Sequence, residues 1–279
     1  MAGRGEVATE LQRQADVLAL GRDMADLCNP AACAAAIHAH APSAVINAAA
    51  YTAVDRAEQE QDLANTINGA APGAMARACA ELGIPFVHLS TDYVFAGHGE
   101  RPWQPTDPVA PLGAYGRSKL LGEEGVRAAG GVAVILRTSW VVSAHGQNFV
   151  KTMLRLGADR GRLSIVADQV GGPTQARAIA DACLRIVAQV QRHPEKSGTY
   201  HFSGAPDVSW ADFAREIFAR AGLACRVEDI PSSAYPTPAA RPANSRMDCS
   251  TTEAVFGIPR PDWRIGLREI LSEVQAPRV

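Results

Sequence analysis

The chain has 279 residues, enough to bury roughly three quarters of its unfolded surface and to form one large domain or two modest ones. With 20% charged and 47% apolar residues and a net charge of −2, it offers no basic surface for nucleic acid or an anionic membrane. Apolar runs such as residues 132–136 are too short to span a bilayer, no secretion signal opens the chain, and the six cysteines form no C-x-x-C pair; these features predict a cytoplasmic protein with reduced thiols.

At the N-terminus, Gly5, Glu6 and Val7 stand in the pattern Ala2-x-x-Gly5-x-x-Ala8 and lead into a predicted helix over residues 9–15. A glycine turn entering a helix offers free N–H groups and a positive dipole end to a dinucleotide phosphate. The apolar strand that precedes such a turn in a doubly wound sheet is missing, so a gap or an edge is expected where the middle of the sheet belongs. Residues 16–20 read as a short strand ending in Gly21-Arg22-Asp23, where adenosine ribose is gripped. Arg22 there favours NADPH and Asp23 opposes it; a solvated turn is the plain alternative. Asn29 and Pro30 suit the N-cap and first position of a helix over 31–38. Residues 43–47 are a buried strand, followed by Ala48, Ala49, Ala50 and Tyr51, of which the small ones let a flat ring or a ribose approach the backbone. Asp55, Glu58, Glu60 and Asp62 read as a solvated acidic face. A helix is predicted over 63–82 with a break near 71–73, and Asn68 inside it is either a solvent-facing group or a brace for the site.

The strand predicted at 84–89 runs into Ser90-Thr91-Asp92-Tyr93-Val94-Phe95, and a Gly/Pro-rich loop over 96–105 separates it from Tyr115-Gly116-Arg117-Ser118-Lys119. The loop carries Trp103 and suits either substrate contact or surface packing. Tyr115 and Lys119 are four residues apart, which puts both on one face of a helix. An ammonium beside a phenol lowers a tyrosine pKa from its reference of about 10 and makes a proton donor for near-neutral pH. A Tyr-x-x-x-Lys pair alone is commonplace. With Thr91 at the end of a buried strand, able to reach the same reacting oxygen, it points to catalysis. Residues 132–136 form the next strand and end in Arg137-Thr138-Ser139-Trp140, where Trp140 is either core or a pocket wall. Further on, helices are predicted over 148–156, 175–191, from Ser209 and over 264–274, and strands over 163–166 and 199–202.

Six segments recur together in a known pattern: Val45-Ile46-Asn47-Ala48-Ala49-Ala50-Tyr51-Thr52-Ala53-Val54-Asp55, Ser90 through Phe95, Tyr115 through Lys119, Arg137 through Trp140, Asp168-Gln169-x-Gly171-x-Pro173-Thr174, and Arg241-Pro242-x-Asn244-Ser245. In order and spacing they resemble an extended short-chain dehydrogenase/reductase, more narrowly the dTDP-4-dehydrorhamnose reductase family, from Gly5 to the last helix. The resemblance implies an α/β fold: a Rossmann-like doubly wound parallel sheet, here without its first strand, and a smaller C-terminal α/β substrate domain. The division it implies is a dinucleotide-binding domain over 1–143, rejoined by 175–203, and a substrate domain over 144–174 and 204–279.

The activity implied is hydride transfer from NADPH or NADH to the C4 keto group of dTDP-4-dehydro-6-deoxy-L-mannose, with Thr91, Tyr115 and Lys119 catalytic and no metal required. Asp92, Tyr93 and Trp140 would line the sugar. Gly5, Glu6 and Val7 would meet the cofactor phosphates, Arg22 its ribose, Asp26 and Leu27 its adenine, and Ala48, Ala49, Ala50 and Tyr51 its nicotinamide half. A homodimer is compatible with this pattern, and neither nucleic acid nor membrane is an expected partner. Two alternatives stand beside it: a reductase of another nucleotide-4-keto-6-deoxysugar, and a non-catalytic relative like the regulatory subunit of methionine adenosyltransferase. The intact Thr91, Tyr115 and Lys119 favour an enzyme; the departure at Ala2 bears on the cofactor turn.

Overall fold

In the computed structural model, which describes residues 5–275, the chain runs α1 (Glu6–Gln14), α2 (Pro30–His40), β1 (Val45–Asn47), α3 (Val54–Ala57) and α4 (Gln61–Asn65). A π-helical turn over Thr66–Ala70 leads into α5 (Ala71–Leu82), β2 (Phe86–Thr91), a 3-10 turn over Asp92–Val94, α6 (Ala114–Ala128), β3 (Ala133–Thr138) and β4 (Val141–Val142). Then come α7 (Phe149–Asp159), β5 (Arg162–Val166), β6 (Val170–Gly171), β7 (Thr174–Gln175), α8 (Ala176–Val190) and β8 (Gly198–His201). The chain ends with β9 (Val208–Ser209), α9 (Trp210–Ala221), β10 (Arg226–Ile230), β11 (Asn244–Ser245), α10 (Ser250–Phe256) and α11 (Trp263–Gln275).

The main sheet has the order β1-β2-β3-β8 and is parallel throughout. Its strands bury both faces, as parallel strands under helices do. On one face Val87, Val134 and Leu136 pack against Val7 and Leu11 of α1 and Ile179 and Ile186 of α8. On the other, Val45, Phe86 and Ile135 pack against Ile37 of α2 and Met75 and Cys79 of α5. A separate apolar core joins Val150 and Met153 of α7, Phe213 and Ile217 of α9, and Trp263, Leu267 and Ile270 of α11. Side-chain oxygens of Asn29, Asn148 and Ser209 cap α2, α7 and α9 by accepting backbone N–H bonds. Among the described residues no helix is long and apolar enough to cross a membrane.

Three expectations need correction. Residues 16–20 form no strand, although Val17 and Leu20 pack onto opposite faces of the sheet as a strand's side chains do. A ladder needs a neighbour, and β1 pairs with β2 as its one described strand partner. Beyond β1 lies a cavity of about 430 Å³, lined by residues 16–20 and 42–46 and by Leu11, Ile37 and Val187. Among the described residues β1 is therefore an edge of the sheet. The break in the long helix falls at 66–70 and not at 71–73, because Pro72 occupies the first turn of α5, where its missing N–H costs nothing. β10 and α10 were not foreseen: β10 is polar and largely exposed, and its pairing with β5 is long-range.

Candidate active site

Register brings the ends of two strands together: Thr91 of β2 lies opposite Thr138 of β3, two residues before Trp140. The Thr91 hydroxyl donates to Asp92 Oδ1 at 3.2 Å and accepts the Tyr93 N–H at 3.2 Å. α6 delivers Tyr115 from its first turn, which Glu58 caps by accepting the Ala114 N–H at 2.8 Å. The turn can sit this close because residue 116 is glycine; a Cβ there would lie 2.2 Å from the Tyr93 carbonyl oxygen. The rings of Tyr93 and Tyr115 meet edge to face, 5.4 Å apart.

Lys119 sits one turn further along α6, buried, with its Nζ donating to the Leu89 carbonyl at 2.7 Å and 3.5 Å from His88 Nε2. Desolvation lowers it to about 8, opposed by the negative charge of Glu123. Desolvation around the Tyr115 hydroxyl pushes that phenol up to about 12, with the neighbouring Thr91 pulling the other way. The expected lowering of Tyr115 by Lys119 is thus not seen in the resting chain. Burial dominates at Tyr115, and the ammonium donates to the Leu89 carbonyl instead.

Below these groups lies a charged knot that sequence reading missed. Glu123 accepts from Arg137 Nε and Nη2 at 2.8 and 2.7 Å, from Ser90 Oγ at 2.6 Å and from Arg127 at 2.6 Å. The signal was the i, i+4 ladder Lys119, Glu123, Arg127 on α6, which reads as a solvated stripe until the strand beneath it is known. Asn68 is the brace: its amide accepts the Tyr51 N–H at 2.8 Å and donates to the Tyr51 carbonyl at 3.0 Å and Ser118 Oγ at 2.9 Å. The π turn places it there. The acidic face also resolves differently from expectation. Asp55 binds Arg241 at 2.8 Å and the Ala239 N–H at 3.1 Å, and Glu60 accepts the Tyr51 hydroxyl. The Asp55 contacts exist only because the 231–242 loop folds back over this segment.

Asp92 is buried against Thr91 and Ser245, and burial pushes its carboxyl up to about 6. Its Oδ2 and the Thr138 hydroxyl have no hydrogen-bond partner among the described residues, so two buried polar atoms at the strand ends are left for a ligand to satisfy. A carboxyl that holds its proton more tightly folded than unfolded makes the protein less stable as pH rises between about 3.8 and 6. Asp92→Asn is therefore expected to gain on the order of 3 kcal/mol relative to the parent between those limits. Denaturant midpoints at the two pH values check this; a gap that does not change with pH rejects it.

Trp140 has a positive φ of 48° and stacks on Trp210 with ring centroids 3.4 Å apart. Gly171 leaves room for its indole, since a Cβ there would be 2.9 Å from the ring. Trp103, by contrast, stacks on Phe95 at 4.8 Å and donates from Nε1 to the Asn244 carbonyl, so the 96–105 loop follows the packing alternative.

Of the expected cofactor residues, Gly5 is the extended N-cap of α1 with no side chain capping it, which leaves first-turn N–H groups available to an anion. Ala2 lies outside the described residues. Glu6 accepts from Asn148 at 2.8 Å, and burial pushes it up to about 7, so that turn need not carry a full negative charge at neutral pH. Val7 and Leu27 are buried in opposite halves of the core, and Arg22 is exposed, 3.8 Å from Asp26. Ala48 to Tyr51 follow directly from the C-terminal end of β1, held by Asn47 and Asn68. Free helix N–H groups, a run of alanines at a strand end and unsatisfied polar atoms beside Tyr115 fit a dinucleotide and a polar substrate.

A doubly wound parallel sheet with this helix-borne Tyr and Lys defines the class of extended short-chain dehydrogenases/reductases. A family model described as the RmlD substrate binding domain matches residues 1–276. A dTDP-4-dehydrorhamnose reductase of Burkholderia thailandensis is 46% identical over 289 residues, covering 96% of this chain and 97% of its own. The chain belongs to the dTDP-4-dehydrorhamnose reductase family, and it is an oxidoreductase. Its fold matches the Clostridium acetobutylicum dTDP-4-dehydrorhamnose reductase with a TM-score of 0.90 at 36% identity, over 98% of this chain and 97% of that one. The Bacillus anthracis dTDP-4-dehydrorhamnose reductase, solved in complex with NADP, also gives 0.90, at 33% identity over 97% and 96%.

Proposed function

We propose that this chain reduces the C4 keto group of dTDP-4-dehydro-6-deoxy-L-mannose, giving dTDP-L-rhamnose, with NADPH or NADH, in the cytoplasm. The observation that carries the reading is that α6 packs Tyr115, one helical turn from Lys119, against the segment that follows Thr91 at the C-terminal end of β2. Family membership supports the substrate class, and the NADP complex of the Bacillus anthracis relative supports the cofactor.

A bound reduced nicotinamide supplies hydride to C4. Tyr115 gives its phenolic proton to O4, so the carbonyl π bond becomes one C–H and one O–H bond, and solvent later restores the phenol. Thr91 turns its hydroxyl from Asp92 to O4 as negative charge grows there, and Lys119 holds the ribose end and steadies the phenolate. Asp92, Tyr93 and Trp140 bind the sugar. Gly5, Glu6 and Val7 bind the pyrophosphate, Arg22, Asp26 and Leu27 flank the adenosine, and Ala48 to Tyr51 lie along the nicotinamide half. The separate core of α7, α9 and α11 supports a substrate domain over 144–174 and 204–279, with 1–143 and 175–203 carrying the dinucleotide.

Mixing the protein with dTDP-4-dehydrorhamnose and NADPH is expected to consume NADPH, read as loss of its absorbance, and to yield dTDP-L-rhamnose. No consumption with either nicotinamide sinks the proposal. One observation favours a second reading, in which the sugar differs and the chemistry stays. A Streptomyces antibioticus protein named as a probable dTDP-4,6-dihydroxy-2-methyloxan-3-one 4-ketoreductase is 40% identical over 283 residues, 99% of this chain and 93% of its own. Side-by-side turnover of the two sugars decides between them.

A further inference from the structure

Lys119 is buried, yet among the described residues no carboxylate is paired with its ammonium. Glu123, one turn along the same helix, is taken by Arg137, Ser90 and Arg127. Nζ has the Leu89 carbonyl and, at 3.5 Å, His88 Nε2. His88 is wholly buried, and its other ring nitrogen, Nδ1, lies 3.1 Å from Asn47 Nδ2. The Asn47 amide oxygen in turn accepts the Ala49 N–H at 3.1 Å.

This chain of contacts has one consistent arrangement of protons. A backbone N–H only donates, so Ala49 fixes the Asn47 oxygen on its own side and the amide nitrogen toward His88. An amide nitrogen also only donates, so His88 Nδ1 is the bare acceptor. Burial and the charge of Lys119 keep the ring neutral, and a neutral ring with a bare Nδ1 carries its proton on Nε2. That nitrogen faces Lys119. An N–H aimed at an ammonium repels it; aimed at an amine, it can donate to the lone pair.

We propose that Asn47 and His88 are positioning residues that act through Lys119: by presenting the His88 Nε2–H to Nζ they loosen the lysine's hold on its proton and set the alkaline limit of turnover. This rests on the role given to Lys119 above. The other charged or titratable groups around it are Glu123 on its own helix, with Arg137 of β3 and Arg127 bound to that carboxylate. At the Tyr115 end stand Asp92 and Tyr93, and Glu58 caps the start of the helix. Asn68 and Ser118 face the same helix uncharged. None of these supplies the N–H that His88 does.

Asn47→Asp tests the relay by inverting it. A carboxylate accepts from Ala49 and from His88 together, draws the ring proton to Nδ1, and leaves Nε2 as an acceptor for the ammonium. The Lys119 side-chain titration, followed by NMR in the resting protein, is expected to move up by about one pH unit, tenfold in proton affinity. The alkaline limb of kcat/KM is expected to move with it. A variant whose lysine titrates as in the parent overturns the proposal, whatever happens to its rate. If Asn47→Asp fails to fold, nitrogen NMR of the histidine rings in the parent chain still decides. His88 protonated on Nε2 and bare on Nδ1 is the expected result, and the reverse ends the proposal. Neither measurement needs sugar or cofactor, so they read independently of whether Tyr115 is the proton donor.

Discussion

Tyr115→Phe is expected to cut turnover by about 10²- to 10⁴-fold, the usual worth of a positioned proton donor. Sugar-nucleotide affinity should stay within a few-fold of the parent. The substitution removes one oxygen and keeps the ring, so the edge-to-face contact with Tyr93 survives. What disappears is the proton that O4 must receive. Thr91 cannot take over, because its one hydroxyl proton is much less acidic than a phenol's and rests on Asp92 Oδ1. Single-turnover kinetics with NADPH, set beside calorimetric binding of the sugar nucleotide, separate the two effects. A variant that turns over like the parent removes Tyr115 from the chemistry; one that fails to bind shows instead that the phenol anchors the sugar.

Arg137→Met carries the largest expected cost to stability, about 3–5 kcal/mol, the range for stripping one partner from a buried ion pair. Arg137 is 1% exposed and Glu123 is fully buried. The guanidinium meets both carboxylate oxygens, donates to the Pro105 carbonyl at 3.2 Å, and lies 4.9 Å over the Phe95 ring. Methionine fills much of the volume but leaves Glu123 with Ser90 and Arg127 alone. Arg137 and its partners together hold Glu123 below the usual carboxylate range, so the deficit should shrink as pH falls and the stranded carboxylate protonates. Adding Glu123→Gln should return a good part of the loss. Urea melts of the parent, single and double variants at two pH values test this. A double variant no more stable than the single one means that lost packing, not an unpaired charge, is the cause.

The fold class, the parallel strands at 45–47, 86–91 and 133–138, and the helix bearing Tyr115 and Lys119 were all legible in the chain. Each is written in local terms: continuous apolar runs for buried strands, Asn or Ser caps for helix starts, and a four-residue spacing for one helix face. Three kinds of feature were not legible. Residues 16–20 have a strand's composition, but a strand exists only where a neighbour offers a ladder. Asp55 and Glu58 read as solvated because their partners at 239–241 and 114 lie far along the chain. The proton arrangement of Ala49, Asn47, His88 and Lys119 joins two strands and a helix, and no spacing within one element encodes it.

By itself, then, the sequence determined which chemical groups this protein possesses and which local elements carry them, since propensity, capping and periodicity act over a few residues. Only the tertiary structure decided the charge each group holds. A phenol pushed up to about 12, a lysine brought down to about 8 and a carboxyl raised to about 6 all follow from water excluded by residues distant in the chain. Desolvation and Coulomb interaction depend on distance in space, and separation along the chain says little about that.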